Sequence, residues 1–302
     1  MEHLREYLTG FFGLQGILSP VYILSFVLIG WGVFKWKRIG GGFWAFLLPK
    51  DVWSHHSTRT DISLLLIGQS MIFFKLAARF AAVPVIAAWV AQNIPGPVFD
   101  QAQISPIVMA LLMFVIYDFS IYWIHRANHS LRTLWPLHAV HHSAAVLTPL
   151  TSFRAHPLGS LVTISLNTVI FGTIFGLLIG AVNPQPSVAE IAGANAFVVA
   201  INLLVTNFHH SHIWISFGPV VERILISPAQ HQVHHSTNPL HLNKNLGQSL
   251  AIWDWIFGSL YLIRKDEKVT FGLDSPTDAP LMTQRLGPIL LTPLRRMLFP
   301  TS

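Results

Sequence analysis

The chain has 302 residues, of which 52% are hydrophobic and only 11% charged, against about 25% charged in soluble domains; its mean hydropathy is +0.52. It contains no cysteine, which excludes disulfides, cysteine-ligated iron–sulfur clusters and thiolate-ligated haem. The net charge of +6 calls for no nucleic acid partner, because the basic residues are distributed as in the loops of a membrane protein attracted to anionic lipid heads.

A bilayer-spanning helix takes about 20 mostly apolar residues. In chain order, the stretches 17–34, 62–90, 104–124, 158–180 and 188–206 qualify. The second is long, and Lys75, Arg79 and Pro84 mark it for tilting, kinking or splitting. No cleaved leader is expected: Glu2, Arg5 and Glu6 precede the first apolar stretch, and Lys35-Trp36-Lys37-Arg38 follows it. The Gly40-Gly41-Gly42 run reads as a joint, there is no P-loop or dinucleotide fingerprint, and no internal repeat is evident. Beyond residue 206, the stretches 220–226 and 250–262 are too short to span. With Trp253, Trp255 and Tyr261 they read as a cap on the membrane surface. From Lys265 onward, Pro and Gly punctuate a tail that reads as peripheral.

Orientation follows from the Lys/Arg bias of the loops. Residues 35–61 carry Lys35, Lys37, Arg38, Lys50 and Arg59, while 92–103 and 181–187 carry no Lys or Arg. Arg126, Arg132 and Arg154, and the series from Arg223 to Arg296, fall on the same side as the first basic loop when sides alternate. That side is expected to be cytoplasmic.

Three histidine clusters also fall there: His125-x-x-x-His129, His138-x-x-His141-His142 and His231-x-x-His234-His235. Imidazole is neutral near pH 7 and offers a lone pair to transition metals. Residues three and four apart share a helix face, so each box can chelate. These imidazoles exceed the about four ligands of one tetrahedral zinc, which points to two metal ions. Tyr122 and Asp118 lie one and two turns before the first box on its face. A carboxylate there is expected either to accept a hydrogen bond from a ligand ring or to pair with Lys75 or Arg79. His209, His210 and His212 end the fifth stretch and are expected to add a ligand. His156 and His241 are open between ligand and structural roles, and His3, His55 and His56 read as solvated or interfacial.

The expected fold class is an all-α integral membrane protein of about four to five transmembrane helices with a helical cytoplasmic cap carrying the boxes. The expected organisation is an N-terminal membrane region over 1–104, a histidine-box catalytic domain over 105–265 and a peripheral tail over 266–302.

The run Asp118-x-x-x-Tyr122-Trp123-x-His125-Arg126-x-x-His129, followed by Trp135-x-x-His138-x-x-His141-His142-Ser143, resembles the fatty acid hydroxylase/sterol desaturase superfamily of membrane di-metal oxygenases. So do Arg154-x-His156-Pro157, Phe208-His209-His210-Ser211, His231-x-x-His234-His235-Ser236, Asn245-x-Gly247 and Trp253-Asp254-x-x-Phe257-Gly258. The resemblance implies metal ligands at His125, His129, His138, His141, His142, His231, His234 and His235, with His210 at the ligand position of the looser fourth motif. It leaves Asp118, Tyr122, His156, His209, His241 and Asp254 as supporting groups or further ligands. Gly159 departs from the acidic residue that many relatives carry after the His-Pro pair. The implied activity is hydroxylation or desaturation of a lipid C–H bond, with two Fe ions (or bound Zn), O2 as co-substrate and a separate reductase or small redox carrier. The alternative is a histidine-rich metal-binding or metal-transport protein without oxygenase activity.

Overall fold

The computed structural model describes residues 7, 8, 19–74, 76, 82–94, 105–182 and 188–299; His3, Lys75 and Arg79 lie outside them. The main helices are α1 (Pro20–Trp36), α2 (His56–Phe73), α3 (Val83–Gln92), α4 (Pro106–Ser130), α5 (Trp135–His142), α6 (Pro157–Val182), α7 (Val188–Leu204), α8 (Pro228–His234) and α9 (Leu286–Leu298). Among the described residues no strand forms, and Leu225–Leu250 and Ser236–Phe271 are isolated bridges.

Two helices are long and apolar enough to cross a membrane, α4 and the Pro157–Ala181 part of α6. The entry to α4 is set by Ser105, whose hydroxyl accepts from the Val108 N–H, and by Pro106 in the first turn, where no N–H is needed. Only 28% of the most apolar window of α6 is buried, and Val169 and Leu177 face outward. The core helix of a soluble protein would hide such side chains. Helices α1, α3 and the segment Ala196–Phe208 are apolar but shorter.

The long stretch 62–90 does not form one span. Helix α2 ends at Phe73 and α3 begins at Val83. The inner face of α2 is largely polar, with Ser57, Thr58, Thr60 and Asp61 buried, and it packs on the Pro149–Phe153 turn rather than on the bundle. Helix α3 instead runs beside α6 in the same direction: Val83 and Ile86 meet Gly172, Ala87 meets Gly176, and Ala91 meets Gly180. A Cβ on Gly176 would stand 2.6 Å from the Ala87 carbonyl oxygen. Glycine at every fourth position therefore lets the two backbones touch, the usual solution where lipid supplies no hydrophobic drive between helices.

Part of the region after residue 265, which reads as a peripheral tail, packs into the core. Leu281 and Ile289 are fully buried against Ala139 and Val140 of α5 and Leu64 of α2, and Thr60 donates to the Gln284 carbonyl at 2.8 Å. The helix carrying the second histidine box is thus packed against both α2 and α9.

Candidate metal centre

The nine histidines at the implied ligand positions converge into two groups. His125, His129, His138, His142 and His234 form one; His141, His210, His231 and His235 form the other. Within each, the candidate ligand atoms lie within 4.8 Å of one another. Helix geometry explains the partition. Positions three and four along share the broad face of the first residue but flank it on opposite sides, so each can turn toward a different group. The second box gives its i,i+4 pair, His138 and His142, to the first group and His141 to the second. The third box does the reverse, giving His231 and His235 to the second group and His234 to the first. The two groups meet where the His142 and His235 rings stack, 4.5 Å apart at 25°.

Each helix is aimed by local chemistry. At the start of α8, Ser227 accepts from the Gln230 N–H at 3.1 Å and Gln230 Oε1 accepts from the Ser227 N–H at 3.0 Å. This capping box fixes the turn from which His231, His234 and His235 project. Buried Gln230 also donates to the Glu222 carbonyl at 2.9 Å. Behind His141 stands Arg154, fully buried. Its guanidinium donates to Asp61 at 2.7 Å, Gln284 Oε1 at 2.6 Å and Ser143 Oγ at 2.8 Å. Burial lowers the Arg154 pKa, and Asp61 opposes that shift; burial raises Asp61, and Arg154 opposes it.

Main-chain carbonyls fix three tautomers. The Nδ1 of His125 donates to Leu246 O at 2.7 Å, that of His141 to Arg154 O at 3.2 Å, and that of His234 to Lys244 O at 2.9 Å. A neutral ring with its proton on Nδ1 presents a bare lone pair at Nε2. Burial, followed by the neighbouring rings, pushes His138, His142, His210, His231, His234 and His235 well below the ordinary histidine range, and His141 to about 3. The rings are therefore held neutral.

These donors fit metal ions. Three Nε2 atoms, of His210, His231 and His235, lie 2.9, 3.0 and 3.2 Å from one another. Each imidazole Nε2 is either donor or acceptor, so at least one of the three contacts pairs like with like. In the first group, His129 Nε2 and His234 Nε2 are buried with no hydrogen-bond partner. A cation at each focus satisfies every lone pair, and neutral imidazole suits iron, zinc, copper and nickel alike.

The remaining histidines and acids do other work. His209 stacks on His231, 4.7 Å away at 16°, and directs Nε2 to Ile226 O. His156 donates to Leu290 O at 3.0 Å and accepts from the Leu158 N–H, tying α6 to α9 with both nitrogens engaged. His241 pairs with Glu267 at 3.0 Å, His212 bonds Phe46 O, and His55 caps α2 by accepting from Ser57 N. None joins either group.

Asp118 bonds no ligand ring among the described residues, and its other expected partners, Lys75 and Arg79, lie outside them. It accepts from the Ser249 and Leu250 N–H groups and from Trp253 Nε1 at 2.9–3.2 Å, so it clamps the cap to α4. Tyr122 bonds Ser259 and Arg126 and stacks on Phe257. Asp254 accepts from the N–H groups of Leu246 and Gly247, both at 2.8 Å, and from Ser259 Oγ. It thereby holds the carbonyl that orients His125. Gly247 leaves the room this needs, since a Cβ there would stand 2.8 Å from Asp254 Oδ2. Asp61, Gln230, Gln284 and the shielding role of Trp135, which covers His129 and His142, were not legible as site residues. Of these only the Ser227–Gln230 capping box had a readable signal.

A cavity of about 610 Å3 opens onto both groups, reaching His125 and His138 of the first and His141, His210 and His231 of the second. Ile121 and Ile124 of α4 and Val162 and Ile164 of α6 line its walls.

Residues 110–259, about half of the chain, match the fatty acid hydroxylase family model. Alkylglycerol monooxygenase of Danio rerio is 34% identical over 165 residues, 55% of this chain and 33% of that protein. An ornithine lipid hydroxylase of Rhizobium tropici is 30% identical over 178 residues, 59% and 49%. A Delta(7)-sterol 5(6)-desaturase of Leptosphaeria maculans is 27% identical over 247 residues, 78% and 61%. The chain thus spans between a third and two thirds of the length of these relatives, and no solved structure matches it. The matched segment is the one that carries both histidine groups, and on these grounds the chain belongs to the fatty acid hydroxylase/sterol desaturase superfamily.

Proposed function

We propose that the protein is a membrane-bound di-iron oxygenase that hydroxylates or desaturates a lipid C–H bond with O2 and external electrons. The observation that carries this reading is the meeting of two converging sets of neutral imidazole lone pairs with one cavity walled by apolar residues of α4 and α6. His125, His129, His138, His142 and His234 hold one ion, and His141, His210, His231 and His235 the other. Iron bound there supplies O2 activation and the oxidant for an unactivated C–H bond.

The chain's own residues do the rest. Carbonyls of Leu246, Lys244 and Arg154 keep the Nε2 lone pairs aimed inward. Trp135 shields the first group, and Asp118 clamps the cap to α4. Ile121 and Ile124 hold the alkyl part of the substrate beside the histidines, which turns an encounter into a positioned one. Hydroxylation consumes one O2, two electrons and two protons, giving an alcohol and one water. Desaturation consumes the same and gives an alkene and two waters. The sequence has no cysteine and no dinucleotide fingerprint, so a separate reductase or small redox carrier supplies the electrons. The positive loops favour a cytoplasmic side for the histidines, where such a donor would reach them while lipid enters from the bilayer.

Relatives named for lipid hydroxylation, alkylglycerol oxygenation and sterol desaturation support a lipid substrate. The rival, a metal-transport protein, needs a polar path through the spans; the Ser120–Asn167 pair in α4 and α6 is satisfied by itself at 2.8 Å. The test is O2 uptake by iron-loaded protein with a reductant, measured with and without membrane lipid extract. Lipid-dependent uptake with a hydroxylated or unsaturated product supports the reading. Metal binding with no uptake on any lipid fraction ends it.

A further inference from the structure

The two histidine groups lean on different parts of the chain. In the first, Lys244 O accepts from His234 Nδ1 at 2.9 Å, Leu246 O accepts from His125 Nδ1 at 2.7 Å, and the Asn243 side chain hydrogen-bonds His129. Three of its five rings are therefore oriented by the short strap 243–246. The second group uses none of that strap. His141 leans on Arg154 O, His210 Nδ1 meets Ser152 Oγ at 3.0 Å, and the Nδ1 atoms of His231 and His235 are buried without a partner among the described residues.

Asn245 stands between the two carbonyls of the strap. It is fully buried, and its φ of 52° is left-handed, a conformation that asparagine adopts more readily than most residues. That turn sets the angle between the peptide units bearing Lys244 O and Leu246 O, and the side chain locks it. Nδ2 donates to Gln230 O of α8 at 3.2 Å, Oδ1 accepts from the Tyr261 N–H at 2.8 Å, and the main-chain N–H donates to Ser259 O at 2.9 Å. Helix α8 does not depend on the first of these bonds, because its capping box and the Gln230–Glu222 contact already aim it. Asp254 secures the strap beyond Leu246; Asn245 secures its middle.

A carbonyl that fixes the proton on one ring nitrogen fixes the lone pair on the other. We infer that Asn245 is a positioning residue for one metal ion only: its amide holds the strap so that His125 and His234 present Nε2 to the first group, while the second group is supported separately. The inference rests on the reading of both groups as metal sites and not on the oxygenase chemistry. The test is anaerobic ferrous iron titration of the metal-free full chain in nanodiscs. Asn245→Ala weakens one of the two ions about tenfold to a hundredfold and leaves the other within about twofold. Two backgrounds assign the ion: the loss appears in His231→Ala, where the first group is intact, and not in His138→Ala, where the second is. The Mössbauer doublet of the remaining iron, recorded at saturation, changes in the first background alone. Asn245→Gly keeps the left-handed backbone without steric cost but loses both amide bonds; it shows the same selectivity and replaces the alanine variant if that one does not fold. Equal weakening of both ions overturns the inference, because it marks Asn245 as a general structural residue. So does wild-type affinity at both. A wild-type chain that binds no iron sinks the metal-site reading itself, whereas two ions indifferent to Asn245 sink only this inference.

Discussion

The membrane bundle and the histidine cap are held together by different physics. Between α3 and α6 the contact is shape alone: Gly172, Gly176 and Gly180 remove side chains so that two backbones meet. In the cap, the buried charged groups that frame the histidines are paired. Arg154 reaches Asp61, Gln284 and Ser143, Asp118 collects three donors from the loop after Gly247, and Asp254 holds the carbonyl behind His125. A cluster of lone pairs is self-repelling, so its scaffold has to be rigid and directional; an apolar helix seam needs only to be close. The difference teaches that damage to the cap should appear first in metal content, and damage to the bundle first in stability.

The largest effect should come from the ligands. His138→Ala or His234→Ala is expected to abolish activity and lower metal content, since each removes a lone pair from the five-histidine group; retained metal in both variants would break the comparison at its centre. Acid should act on the same region. Unfolded histidine titrates near 6.5, whereas burial and then the neighbouring His125 push folded His141 down to about 3. Below about pH 6.5 the unfolded chain therefore binds more protons than the folded one, and stability falls as pH drops from there toward 3. The melting temperature of metal-free protein should decline steadily from pH 7 to pH 5; a flat profile would show the rings are not held neutral.

Asp61→Ala leaves Arg154 buried without its counter-charge and is expected to cost about 3–5 kcal/mol, with metal lost from the second group because Arg154 also holds His141. Asp61→Asn should lie between, readable by denaturant melts and metal analysis together. Gly176→Ala puts a Cβ 2.6 Å from a backbone oxygen and should cost about 1–3 kcal/mol, while the surviving folded protein keeps its metal. His55→Ala removes only a cap on α2, about 0.5–2 kcal/mol at most, and should leave metal and activity alone. Loss of metal in the Gly176 or His55 variant would erase the distinction between the two regions.

The two regions also differed in how far the sequence revealed them. The boxes were legible because chelation is local: i,i+3 and i,i+4 spacing carries the chemistry within one turn or two. Which ring goes to which group followed from the same periodicity once α5 and α8 faced one another. What stayed hidden depends on partners far apart in the chain, such as Asp61 with Arg154 or Asp118 with Ser249 and Trp253. Spacing cannot express such pairs. Hydropathy gave α2 and α3 as one long stretch and marked it for kinking or splitting, but it could not tell that the buried face of α2 is largely polar and that Leu64 packs against α5. The region after residue 265 read as peripheral because Pro and Gly punctuate it, yet Leu281 and Ile289 sit in the core.

The most direct test is elemental analysis of full-length protein purified without added metal, run beside His138→Ala and His231→Ala. The account predicts two iron ions per chain in the wild type and loss from a different group in each variant. One zinc per chain, or no metal in any of the three, would contradict it.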